Sequence, residues 1–105
     1  VLDDGWFGAR RNDRAGLGDW IANPELLPNG ISGLADRIEE LGMKFGLWIE
    51  PEMVNKDSDL YRKHPDWMLQ TPGRRVSHGR YQYVLDFSRK EIVGLYLWDD
   101  CKIAF

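Results

Sequence analysis

The sequence has little of the two residue types that most often build metal and redox sites. Its 105 residues include one cysteine, Cys101, and two histidines, His64 and His78. A lone cysteine excludes an internal disulfide and any cysteine-built zinc centre, and it suits a reducing compartment, here expected to be the cytoplasm. No His-x-His or His-x-x-x-His spacing occurs. Excess charge of one sign is lacking too. The formal net charge is −3, and basic residues are scattered apart from Arg10 with Arg11 and Arg74 with Arg75. Neither a phosphate-tracking stripe nor a polybasic membrane patch is therefore present, and nucleic acid is not an expected partner. No apolar run approaches the ~20 residues that cross a bilayer, and no stretch reads as a signal peptide. The chain opens on Val1, not methionine, so an upstream targeting segment is not excluded.

What is there is ordinary for one soluble globular domain with a single core: 43% hydrophobic and 30% charged residues. The three most apolar short runs are VLDD (1–4), FGLWIE (45–50) and YVLDF (83–87). Each is continuous rather than alternating, as in strands buried on both faces. Between the first two, Ile31, Leu34, Ala35, Ile38 and Leu41 recur at helical spacing, with Asn29 as a cap and Gly42 as a stop. A short helix opened by Asp57 or Ser58 follows the second run and is interrupted at Pro65. The stretch 70–80 reads as a long loop, and Ser88 with Glu91 reads as a capping box leading a third helix through Tyr96. Alternating strand and helix predicts an α/β fold with parallel strands joined by right-handed crossovers.

In such folds the working groups gather at the carboxyl ends of the strands. That rule collects Asp3, Asp4, Trp6, Trp48, Glu50, Glu52 and Asp86 on one rim. Carboxylates accept hydrogen bonds from vicinal hydroxyls, and an indole supplies a platform for the apolar face of a sugar ring. Asp3, Asp4 and Trp48 together suit a sugar. Simpler roles stand beside this one. Asp4-Gly5 is a common turn dipeptide, and Trp20 and Trp67 sit where indoles usually cover a core edge. His64 reads as a surface residue, and His78 has no evident partner. Glu50 and Glu52 flank Pro51, which invites an acid/base role, although a salt bridge from one of them to an arginine of the next loop is favoured. Asp86 is expected to accept N–H bonds from the turn after it. Oxygen ligation of Mg²⁺ or Mn²⁺ by Asp3, Asp4, Glu50 and Glu52 is the rival chemistry. Asp99 and Asp100 fall within the third helix and are poor candidates for a nucleophile.

The stretches LDDGWFGARRND (2–13), the run from LGDWIANP to HPDWML (17–69) and GRYQYVLDFSR (79–89) closely resemble the catalytic barrel of bacterial family 36 glycoside hydrolases. These are the α-galactosidases that act on melibiose and raffinose, and the likeness runs from Val1 to about Tyr96. It implies a partial TIM (β/α)₈ barrel of about three successive βα units, with residues 1–105 a fragment of the catalytic domain. It implies that Asp3 and Asp4 hold galactose hydroxyls, that Trp48 lines the sugar subsite, and that Arg80 contacts the substrate. The expected ligand is an α-galactoside oligosaccharide. The resemblance implies no cofactor or metal, and a homo-oligomer for a complete enzyme. The family's retaining mechanism uses two carboxyl groups about 5–5.5 Å apart, and both come from strands beyond those matched here. The isolated chain is therefore expected to bind sugar without hydrolysing it, and to associate through unpaired strand edges. The stretch 97–105 departs from the family's usual helix sequence. A non-catalytic sugar-binding remnant and a metal-dependent barrel lyase or isomerase are the alternatives.

Overall fold

In the computed structural model, which describes residues 1–97, the element order is α1 (Gly30–Glu40), β1 (Met53–Asn55), α2 (Asp59–Lys63), a 3₁₀ turn (Pro65–Trp67), β2 (His78–Gly79), β3 (Gln82–Val84) and α3 (Lys90–Leu97). Asp99 and Asp100 lie outside the described residues.

The predicted first helix is α1. Its end follows the glycine rule: Gly42, at φ +78°, donates to the carbonyl of Glu39, and Met43 donates to that of Ile38. This is the paired 5→2 and 6→1 closure that only a residue comfortable at positive φ allows. The start differs from expectation, because Asn29 makes no side-chain cap bond. Its apolar stripe is also thinner than the spacing implies: Ile31 is buried, Leu34, Ala35 and Ile38 are half-buried, and Leu41 is 74% exposed. Ser58 opens α2 by accepting from the Tyr61 N–H. Asp19 adds a second cap from a distant loop, its carboxylate accepting from the N–H groups of Asp59 (2.8 Å) and Leu60 (3.0 Å). Two of the four N–H groups that a short helix leaves open are thereby satisfied from outside it.

The sheet corrects the expectation of three parallel strands. Its order is β1-β3-β2, and both pairings are antiparallel. The first two predicted strands survive as one parallel bridge, Leu2 with Leu47, in which Leu2 donates to Gly46 and Trp48 donates to Leu2. The third predicted strand contributes β3, but against 53–55 rather than 45–50. Met68 bridges Leu85 next to it. The reason is local. The chain turns at Pro51 and Glu52 between 45–50 and β1, and β2 reaches β3 through the two residues Arg80 and Tyr81, a connection that only antiparallel strands can share. Part of the loop read at 70–80 is strand β2. Ser88 donates its hydroxyl to Asp86 (2.6 Å) at the turn before α3, which starts at Lys90.

Two cores replace the single one expected. The first holds Trp6, Phe7, Leu17, Trp20 and Ile31, and the second holds Val54, Leu60, Met68, Leu85 and Ile92; Tyr96 packs against both. They are joined on the free side of β1, where residues 15–17 run beside 55–57. Ala15 bridges Asp57, Gly16 donates to Asp57, and Asn55 donates to Leu17. No helix among the described residues is long and apolar enough to cross a membrane.

Candidate functional site

The Leu2–Leu47 bridge sets the first part of the site. One residue further along each segment come Asp3 and Trp48, next in register. Trp48 is half-buried against the first core, with Trp20 edge-on at 6.1 Å, and its carbonyl accepts from the Trp6 indole N–H at 3.0 Å. The two adjacent acids are both exposed. Asp3 accepts from the Asp4 N–H (2.9 Å), and Asp4 accepts from the Gly5 N–H (2.7 Å). The turn role weighed for Asp4-Gly5 is thus realised, and it aims the carboxylates rather than removing them from solvent.

Asp4 has a further partner that the sequence did not announce. Arg10 grips it with two bonds, Nε to Oδ1 at 2.8 Å and Nη2 to Oδ2 at 2.7 Å. The Arg10 side chain is only 5% exposed against 46% for Asp4, so the cation is buried and its anion faces water. This guanidinium holds the Asp4 carboxyl below the usual carboxylate range, burial opposing the shift only in part. Lone-pair arithmetic follows. Asp4 has used three acceptor positions and Asp3 one, so most of the capacity left for a hydroxyl-rich ligand lies on Asp3.

Arg80 sits at the tip of the β2–β3 hairpin. The loop is the two residues Arg80 and Tyr81, at φ +50° and +63°. Positive φ at both positions is the primed turn that normally takes Asn-Gly, and a side chain there costs about 1–2 kcal/mol per residue. The strained conformation is held from two directions. The Tyr81 carbonyl accepts from Asn55 at 3.0 Å, while its hydroxyl accepts from Arg14 at 2.9 Å with that guanidinium 4.3 Å from the ring centre. Strain retained by surrounding contacts is characteristic of functional positions.

The positive charge of Arg80 is a lesser influence on both carboxyls, adding to the Arg10 effect on Asp4 and opposing the burial that raises Glu50. In Glu50, burial dominates and pushes the carboxyl up, with Glu52 adding to the shift. The salt bridge expected from Glu50 or Glu52 to a loop arginine is not formed among the described residues. Asp86 behaves as expected: the Ser88 hydroxyl and N–H bind it and lower its pKa. Trp67 covers the edge of the second core as expected, whereas Trp20 lies inside the first, only 5% exposed. His64 stacks on Trp67 at 3.8 Å, and His78 stacks on Tyr83 at 5.6 Å. A separate cleft of about 490 Å³ is lined by Arg14, Lys56, Asp57, Arg62, Tyr81 and Tyr83, with His78 at its edge. None of Asp3, Asp4, Trp48 or Arg80 lines it, and Arg14 and Arg62 are paired there with Tyr81 and with Asp57 and Asp59.

Arg10, Asn55 and Tyr81 are the members of this site that sequence reasoning missed. The one available signal was the spacing of Arg10 from Asp4 across a glycine-bearing turn.

The family model for melibiase matches residues 1–99. The chain belongs to the melibiase family. It is 62% identical over 92 residues to the α-galactosidase AgaA of Geobacillus stearothermophilus, an alignment that covers 88% of this chain and 13% of that protein. A crystal structure of the GH36 α-galactosidase AgaB from the same organism superimposes with a TM-score of 0.83 at 63% identity, again over 88% of this chain and 13% of the other. AgaA has itself been crystallised, as a variant, with raffinose, and that structure gives a TM-score of 0.82 at 62% identity over 88% of this chain and 13% of its own. This melibiase-family chain thus spans about 13% of the length of the relatives it matches. The TM-scores of 0.83 and 0.82 show that the fold of the aligned part is shared with these α-galactosidase structures.

Proposed function

We propose that this chain carries the galactose-binding part of an α-galactosidase that hydrolyses terminal α-galactosyl residues with retention. In this reading Asp3 and Asp4 accept bonds from galactose hydroxyls, Trp48 packs on the apolar face of the ring, and Arg80 donates from the opposite side. The reading also takes residues 1–105 as a piece of a (β/α)₈ barrel, with the Leu2–Leu47 bridge a rung of its parallel wall. The ligand is a raffinose- or melibiose-like oligosaccharide, and the complete enzyme is a cytoplasmic homo-oligomer. What supports the site most directly is the parallel Leu2–Leu47 bridge, which sets Asp3 and Trp48 next in register, together with the two-point grip by which Arg10 holds the exposed Asp4 carboxylate. Exposed carboxylates beside an indole offer hydroxyl acceptors and an apolar platform, and the Arg80 guanidinium would add donors, the three kinds of contact that a hexose takes.

Neither nucleophile nor acid/base is assigned within the chain, so it binds without turnover. Titration of the purified chain with galactose should change tryptophan emission through Trp48, whereas Mg²⁺ should not. A response to Mg²⁺ alone would favour a metal-dependent barrel enzyme. Turnover of a chromogenic α-galactoside near that of a complete family member would overturn the assignment of the chain as a binding segment only.

A further inference from the structure

Asn55 ends β1, is fully buried, and uses every hydrogen-bonding position its amide has. Its Oδ1 accepts from Arg10 Nη1 (3.1 Å) and from the Leu17 N–H (2.9 Å). Its Nδ2 donates to the carbonyls of Asp13 (3.2 Å) and Tyr81 (3.0 Å). The two ends of the amide cannot exchange, because a flipped group would set its N–H₂ against the Arg10 and Leu17 donors and its oxygen against two carbonyls.

Two of these four partners, Arg10 and Tyr81, belong to the two halves of the candidate site. Through Oδ1, Asn55 fixes the guanidinium that holds Asp4 by two bonds; the same Nη1 also donates to the Ala15 carbonyl at 3.1 Å. Through Nδ2 it fixes the carbonyl of the residue that follows Arg80, in a turn whose positive φ angles its residues do not favour by themselves. We infer that Asn55 is a positioning residue that sets Asp4 and Arg80 at one fixed relation, so that the two flanks of the ligand site move together or not at all. The inference rests on the galactoside reading for what the flanks hold, while the coupling stands on the hydrogen bonds alone.

The two halves can be separated chemically. Asn55→Asp keeps both acceptors, and therefore Arg10 and Leu17, but loses both donors and turns a carboxylate oxygen toward the carbonyls of Tyr81 and Asp13. Asn55→Leu removes all four bonds at similar volume. The readouts on the full chain are the NMR resonances of the Arg10 Nε–H and of the Arg80 and Tyr81 amides, together with galactose affinity. With Asn55→Asp, the Arg80 and Tyr81 resonances should move while the Arg10 Nε–H stays, and galactose affinity should fall at least about tenfold, since the buried bonds to Tyr81 and Asp13 are both lost. With Asn55→Leu, both sets should move and affinity should fall further. Arg10→Lys, which cannot grip a carboxylate at two points, reads the coupling from the other end and decides the matter if the Asn55 variants do not fold: the Tyr81 amide should shift although Tyr81 does not touch position 10. Unchanged Arg80 and Tyr81 resonances in Asn55→Asp, an unchanged Tyr81 amide in Arg10→Lys, or resonances that move with galactose affinity intact would each overturn the inference. If the unaltered chain binds no galactose, the sugar reading fails and the resonances alone decide the coupling.

Discussion

The two cores are built by different means. The second draws Val54, Leu60 and Ile92 from β1, α2 and α3, whose backbone hydrogen bonds hold them, and Leu85 with Met68 from the bridge beside β3. The first gathers Trp6, Phe7, Leu17 and Trp20 from turns and bridges, with Ile31 of α1 the one member from a regular element. Ring contact does there what a ladder does in the other: Phe7 lies 4.4 Å from Trp20, and Trp6 meets Phe7 edge-on at 5.1 Å. Asp3, Asp4, Arg10 and Trp48 all stand on this ring-held side. Side chains that must be aimed from loops are thus fixed by packing large rigid surfaces beneath them, since a loop has no repeating hydrogen-bond pattern of its own.

The largest test of this contrast is to remove a ring. Phe7→Ala should cost ~3–5 kcal/mol, and Leu85→Ala in the other core ~2–5 kcal/mol, read by urea denaturation followed through tryptophan emission. The ring-held description fails if Phe7→Ala proves the milder of the two. Next comes the seam between the cores. At Gly16, φ is +88° and an added Cβ would stand 2.8 Å from the Arg10 nitrogen, so Gly16→Ala combines backbone strain with a clash against immovable main chain. A loss of about 1–3 kcal/mol is expected, and both clusters should weaken together in hydrogen exchange.

Asp4→Asn leaves the Arg10 cation buried without its anion. Because Asp4 is half-exposed and water screens the pair, the expected loss is about 1–2 kcal/mol rather than the larger figure for a dry pair, measurable as a shift in urea midpoint. The smallest effect lies in the pH profile. Asp4 has a lowered pKa, so the stability it adds is present above the unfolded value near 4 and is lost as pH falls through the lowered folded value. Asp19 is the reverse case: burial raises its pKa, so its contribution is fully present below the unfolded value and is lost as pH rises through the raised one. The Tm deficit of Asp4→Asn should therefore shrink on acidification, and that of Asp19→Asn should grow. Parallel slopes for the two variants would show that these environments are not opposed.

Local rules made parts of this legible from residues alone. The α1 stripe and the Gly42 stop, the Ser58 cap, and the role of Asp86 each depend on neighbours within a few positions. The sheet was hidden because MVN and HG are too short to show a period, and the continuous apolar runs at 1–4 and 45–50 are not buried on both faces: Val1 is 95% exposed and 45–50 is only half-buried. The site divides in the same way. Asp3, Asp4 and Trp48 stood out as residue types at strand ends, and Arg80 came into view only through the family resemblance. Arg10 and Asn55 stayed invisible because their meeting depends on residues 10–17 folding back along β1. Asn55 reads in sequence as an ordinary polar residue and is nonetheless wholly enclosed.

The hairpin tip has a consequence for anyone seeking a heat-tolerant version. Arg80→Asn with Tyr81→Gly would relieve the unfavourable backbone angles and raise the melting temperature, as stabilising changes at strained loops do. The same exchange would delete the guanidinium and the ring that Arg14 clasps. On the galactoside reading proposed above, thermal hardiness and ligand grip compete for the same two positions, and a screen that rewards only survival on heating would select against that grip.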